Sequence, residues 1–130
     1  MLNAAKRIVQ IEAGAVTLQA VLNDSQTACA VWEALPITGK ANRWGDEIYF
    51  FVPLTLPEEN PQELVAVGDI AYWPEGPALC LFFGPTPVSR GSEVRPASPV
   101  NVCGRIMGDA TVLKTVRDGT PIKIRRPEGK

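Results

Sequence analysis

The chain has 130 residues, 45% hydrophobic and 21% charged, which excludes a disordered polymer and fits one globular domain spanning residues 1–130. Thirteen basic against fourteen acidic side chains give a formal charge of −1, so neither nucleic acid nor an acidic membrane surface is an expected partner. Histidine is absent, which removes Ser-His and Cys-His nucleophile systems, most catalytic zinc sites and the usual general base near neutral pH.

No apolar run approaches the roughly 18–20 residues that span a bilayer. Lys6, Arg7, Gln10 and Glu12 interrupt any signal-peptide core at the N-terminus. Cys29, Cys80 and Cys103 each sit among apolar neighbours; they read as buried reduced thiols, which points to a cytoplasmic protein. Glycine-rich phosphate loops and metal-ligand clusters are missing, so no cofactor and no metal is expected.

In chain order, Lys6 to Ala13 and Ala15 to Leu22 form a hairpin turning at Gly14. Its second arm places Val16, Leu18, Ala20 and Leu22 on one face. Asn23-Asp24-Ser25 supplies a turn and an N-cap for a helix from Gln26 to Leu35, with Ala28, Val31, Trp32 and Leu35 on its apolar side. Pro36 stops it. Ile37 to Asn42 reads as a strand weakened by Gly39, followed by a tight turn at Trp44-Gly45-Asp46. In the next strand Ile48, Phe50 and Val52 share one face, and Glu47, Tyr49 and Phe51 the other.

Pro53, Pro57 and Pro61 mark a loop or edge segment, and Glu63 to Val67 a short strand or turn. Asp69 to Trp73 and Ala78 to Phe83 are two strands joined at Pro74-Glu75-Gly76-Pro77. Leu79-Cys80-Leu81-Phe82-Phe83 is apolar on both faces and must be covered on both. In a chain this short, that predicts a closed barrel with something packed on its outside. Pro85 to Pro99 is a long proline- and serine-rich connection, of the kind that is either disordered or functional. Val100 to Ile106 is a buried strand broken by Gly104. Asp109 caps a short helix with Val112, Leu113 and Val116 inward, and Thr120 to Arg126 is the last strand, with Ile122 and Ile124 inward and solvated charges at its end. The expectation is mainly β: eight strands and two short helices.

Trp44-Gly45-Asp46-Glu47-Ile48-Tyr49-Phe50, Gly68-Asp69-Ile70-Ala71-Tyr72-Trp73-Pro74, Leu79-Cys80-Leu81-Phe82-Phe83-Gly84 and Pro96-Ala97-Ser98-Pro99-Val100-Asn101-Val102 resemble, in order and over nearly the whole chain, the small prokaryotic proteins of the cyclophilin-like family. Their function is mostly unknown. The resemblance implies a closed eight-stranded barrel capped by two helices, a minimal peptidyl-prolyl isomerase scaffold. True cyclophilins are more faintly similar. Thr27 to Leu35 looks like their first helix, Leu81-Phe82-Phe83 like their Gln-Phe-Phe strand, and Val102 to Ile106 like their Val-Phe-Gly-Lys-Val strand.

Cyclophilins lower an amide barrier of about 18–20 kcal/mol with an apolar proline slot and an arginine near the amide. By that resemblance Phe83 stands at the second phenylalanine of the slot. Leu81 replaces the glutamine, the pocket histidine has no counterpart, and the pocket tryptophan falls in the rewritten Pro85–Pro99 loop. Ala41 or Asn42 lies nearest the catalytic arginine, with Arg43 out of phase by a residue or two, and such an error turns a strand side chain to the opposite face.

By the same analogy Phe82 fills the barrel, while Leu79, Leu81 and Phe83 face outward with Tyr49 and Phe51. The expected ligand groove is therefore Glu47, Tyr49, Phe51, Leu81 and Phe83, with Arg95 and Ser98 of the long loop as polar groups. Two functions compete. One is a non-catalytic module binding a small molecule or an extended proline-containing peptide; the other is a divergent isomerase in which Arg43 or Arg95 replaces the missing arginine. A third reading, a structural subunit, buries the aromatic face in a homo-oligomer. Cys80 is not expected as a nucleophile, since it lacks a basic partner and an apolar strand raises its pKa.

Overall fold

Strict alternation of apolar residues builds the first hairpin, β1 (Arg7–Ala13) and β2 (Val16–Leu22), paired from Arg7 opposite Leu22 to Ala13 opposite Val16. Gly14 makes the turn in the left-handed region, at φ 60°. The structure, a computed structural model, describes residues 7–127; Lys6, expected to open the hairpin, lies outside them.

Ser25 then caps α1 (Gln26–Ala34), its hydroxyl accepting the Ala28 N–H at 3.0 Å. The Glu59 carboxylate reaches the same helix start from a distant loop. It accepts the N–H groups of Gln26 (3.0 Å) and Thr27 (2.8 Å) and the Thr27 hydroxyl (2.7 Å). These bonds hold Glu59 below the usual carboxylate range and satisfy N–H groups that a helix cannot satisfy itself.

The remaining strands are β3 (Ile37–Lys40), β4 (Asn42–Arg43), β5 (Glu47–Phe51), β6 (Asp69–Trp73), β7 (Ala78–Phe82), β8 (Asn101–Met107) and β9 (Pro121–Arg125). All pair antiparallel in the order β3-β9-β1-β2-β8-β6-β7-β5-β4. The two end strands are consecutive and separated by Ala41 alone. Its N–H donates to the Thr120 carbonyl at 2.8 Å, and its carbonyl accepts from Gly119 at 2.7 Å. One bent segment therefore pairs with β9 by its first half and with β5 by its second, so the sheet closes on itself. Counted this way, nine short strands are the eight expected.

The barrel interior holds Val9, Ile11, Ala20, Ile48, Phe50, Ile70, Leu79, Leu81, Phe83, Ile122 and Ile124, with Ala28, Val31 and Leu113 contributed by the helices. Tyr72 lies among them with no exposed surface. Its hydroxyl donates to the Leu54 carbonyl (2.8 Å) and accepts the Leu56 N–H (3.0 Å), tying the proline-rich segment across the barrel end. Tyr72→Phe leaves both backbone groups without a partner and is expected to cost about 1–3 kcal/mol in urea denaturation. No change in the midpoint would mean that water replaces the hydroxyl.

Three local expectations are corrected. Residues Ala110–Thr115 form a 3-10 helix, capped by Asp109 as expected, so its inward residues recur every third position: Ala110, Leu113 and Val116. Val112 is exposed rather than inward. Cys29 is exposed on α1, unlike the buried Cys80 and Cys103. The charged end of β9 is not freely solvated either. Arg125 pairs with Glu12 at 3.0 Å, and the Arg126 guanidinium lies 4.2 Å from the Trp32 ring centroid while donating to the Trp32 carbonyl at 3.0 Å.

The long Pro85–Pro99 connection is ordered. Val94 and Val100 pack with Ala71, Cys80 and Phe82 in a second, smaller cluster on the outside of the barrel. Isolated bridges from Gln62 to Val100 and from Val65 to Val94 attach the loop to the proline-rich segment. Within the loop, the Ser89 hydroxyl accepts the N–H groups of Thr86 (2.9 Å) and Arg95 (3.1 Å), and the Thr86 hydroxyl donates to the Arg95 carbonyl. This loop is the outside layer that the doubly apolar strand required.

Candidate functional site

Residues directly opposite in antiparallel strands share a face. The pairing of β5 with β7 sets Glu47 opposite Phe82, Tyr49 opposite Cys80 and Phe51 opposite Ala78. Ile48 and Phe50 stand opposite Leu81 and Leu79, inside the barrel. The expected phase of β7 is thus inverted. Leu79, Leu81 and Phe83 are interior and at most 1% exposed, while Phe82 faces outward beneath the long loop. Leu81 and Phe83 are therefore not groove residues.

On the outer face a cleft of about 220 Å³ opens between the strands and the loop. Trp44, Glu47, Tyr49, Trp73, Cys80, Pro96, Ala97 and Val100 line it. Two of the chain's three tryptophans are here. Trp44 precedes the turn into β5, in which Gly45 sits at φ 62°; a Cβ there would come within 2.8 Å of Pro87. Only glycine lets this turn approach the loop so closely. Trp73 ends β6 and is held from two sides: its indole N–H donates to the Ser98 hydroxyl at 2.6 Å, and its ring lies where a Cβ on Gly76 would otherwise be. The Tyr49 ring packs near-perpendicular to Trp73 at 6.3 Å, and to Phe51 at 5.9 Å.

Glu47 is the one charged residue of the lining. Its side chain is only 5% exposed by residue, and Oε1 is buried with no hydrogen-bond partner. Burial pushes the carboxyl up to about 7, opposed by a hydrogen bond with the Cys80 thiol. Burial and the neighbouring carboxylate in turn push the Cys80 thiol well up. A thiol raised in this way is held in its protonated form, the weaker nucleophile. A carboxyl poised at this pKa beside an apolar hollow can hydrogen-bond a ligand in either protonation state.

The other expected site residues lie elsewhere. Phe51 stands outside the lining, 59% exposed. Arg95 pairs with Glu93 at 2.7 Å and, with Ser98, borders an adjoining shallow hollow. Ser98 thus serves the cleft through Trp73. Arg43 lies at the barrel end, its guanidinium 5.1 Å from the Phe83 ring centroid. It donates to the carbonyls of Gly45, Lys114 and Val116 and pairs with Asp46 at 3.6 Å. Neither arginine lines the cleft. Among the described residues no cluster of His, Cys, Asp or Glu could hold a metal ion, and no helix is long and apolar enough to cross a membrane.

Trp44, Trp73, Cys80, Pro96, Ala97 and Val100 complete the lining without having been expected there. Trp73 had a legible signal, since alternation puts it on one face with Ala71, in the strand next to the doubly apolar one. Trp44 had none, because its position depends on how the turn folds against the loop.

A small closed β-barrel with a ligand-sized hollow on its outer wall, roofed by a long loop, is the class of protein that fold and site define. The profile of the cyclophilin-like family matches residues 7–125, and the chain belongs to that family. It is also similar to a hypothetical protein from Archaeoglobus fulgidus known from its solution structure. The two are 41% identical, with a TM-score of 0.80 over 94% of this chain and 95% of the other. No curated protein matches it.

Proposed function

We propose that this protein is a non-catalytic binding module whose site is the cleft formed by Trp44, Glu47, Tyr49 and Trp73. The observation that carries the reading is the Glu47 carboxyl, buried and with one oxygen unpartnered in an otherwise apolar hollow. A buried polar atom without a partner costs roughly 1–3 kcal/mol, a cost that a ligand bearing a complementary group removes. The cleft, about 220 Å³, exceeds the roughly 150 Å³ that admits benzene in an engineered cavity. It falls short of the range of about 300–1,000 Å³ typical of drug-sized sites. It suits one ring with a polar substituent, free or as a side chain of an extended peptide.

Isomerisation of an X-Pro bond finds less support. It calls for a guanidinium beside the slot, and both Arg43 and Arg95 are engaged elsewhere. The structural-subunit reading loses Leu81 and Phe83, which are interior. Two buried free thiols, Cys80 and Cys103, fit a reducing cytoplasmic setting.

Amide NMR spectra recorded during titration with single-ring amines, alcohols and amides test the proposal. Shifts centred on Tyr49, Trp73, Ala97 and the Trp44 and Trp73 indole N–H groups are expected, and a protease-coupled X-Pro assay should show no acceleration. Acceleration abolished by Arg43→Ala, with stability retained, would instead establish the isomerase.

A further inference from the structure

We propose that the cleft takes an organic cation about one ring in size, an ammonium or amidinium whose charge meets the Glu47 carboxylate among the rings of Trp44, Tyr49 and Trp73. The assignment rests on the cleft being a binding site and names the chemistry it selects.

Charge sign comes first. Glu47 is the sole charged side chain of the lining, and no lysine or arginine joins it. Arg43 and Arg95, the cations expected at the site from the sequence, are held by carbonyls and by Glu93. An anion would therefore meet a buried carboxylate with nothing to offset the repulsion. Hydrogen-bond capacity comes next. Oε1 of Glu47 is buried and unpartnered, and its one titratable neighbour across the strands, the Cys80 thiol, is a weak donor. A ligand with N–H donors satisfies this oxygen; a hydrocarbon leaves it orphaned.

The aromatic lining adds a second attraction of the same sign. Ring faces carry negative quadrupole potential, and cations are held among tryptophan and tyrosine rings most strongly when water is excluded. Trp73 is pre-positioned by Ser98 and Gly76, and Tyr49 by its edge-on contacts with Trp73 and Phe51. Such rings need little ordering on binding, which favours affinity for a small ligand.

The facing titratable groups are Glu47 and Tyr49 from β5 and Cys80 from β7. With Cys80 raised well above neutrality by burial, Glu47 is the group that changes charge near pH 7. Binding of a cation requires ionised Glu47 and releases its proton. Affinity should therefore rise about tenfold per pH unit below 7 and level off above it.

Isothermal titration of the full chain with benzamidinium, benzamide and benzoate separates charge from shape, since the three differ little in size. At pH 8 benzamidinium is expected to bind about tenfold or more tighter than benzamide, and benzoate not detectably. The advantage should vanish at pH 5.5 and in Glu47→Gln. Benzamide binding as tightly as benzamidinium, or benzoate binding at all, would overturn the cation assignment and leave the binding cleft standing. If none of the three binds, both readings fall. The pH series decides the matter even where the variant does not fold.

Discussion

Phe83→Ala is expected to cost about 3–5 kcal/mol, while Phe51→Ala, which loses an edge-on contact with Tyr49 from a largely exposed ring, costs only about 0.5–1.5 kcal/mol. Both residues were expected on one outward groove, so this pair separates that reading from the observed one. Phe83 is 1% exposed inside the barrel, beneath the Arg43 guanidinium; Phe51 is 59% exposed at the rim of the outer face. Truncating Phe83 removes a full aromatic volume from a ring of strands that cannot collapse inward without breaking pairings, so the cavity cost is added to the transfer cost. Guanidinium denaturation of the two variants is the measurement. Equal losses would return Phe83 to the surface.

The second expected result is a stability that falls as pH rises across the mildly acidic range. The Glu47 carboxyl titrates at about 7 in the folded chain, against an ordinary value of 4.5. Between these values the folded state holds a proton that the unfolded state has lost, so folding stability decreases with pH. The contribution is complete below about pH 4.5, is lost progressively up to pH 7, and is flat beyond. At about 1.4 kcal/mol per unit over this window, the drop amounts to roughly 3–4 kcal/mol.

With no histidine in the chain, no other side chain ordinarily titrates in the middle of that window. Glu12, Glu59, Glu93 and Asp109, whose hydrogen bonds lower their pKa values, act with the opposite sign and lower down. Their contributions are lost as pH falls through their folded values, beneath 4.5 or, for Asp109, 3.8. Urea midpoints from pH 4.5 to 8 should trace the Glu47 slope, and Glu47→Gln should flatten it. A wild-type profile already flat across this range would show that water reaches Oε1 and that the cleft is wetter than its lining implies.

The β5 strand alternates, so its faces are legible: Ile48 and Phe50 lie inside the barrel and Glu47 and Tyr49 on the outer cleft. Ser25 and Asp109 announced both helix starts, and Gly14 its turn. Trp32 and Arg126 are 94 residues apart, and nothing local linked them.

What the sequence alone determined is the barrel, its family, the two capped helices, the faces of the alternating strands and the need for an outer cover. The helix starts, the strand faces and the need for a cover follow from periodicity and short-range capping, which are written into neighbouring residues; the eight-stranded barrel and the family are implied by the resemblance of whole motifs. Only the tertiary structure decided the phase of β7, because Leu79 to Phe83 is apolar on both faces and alternation cannot orient such a strand. The phase came instead from pairings with β5 and β6, and with it came the site. Glu47 and Tyr49 kept their face, Leu81 and Phe83 left it, and Trp44 and Trp73 joined through a turn and a loop whose meeting no local pattern encodes.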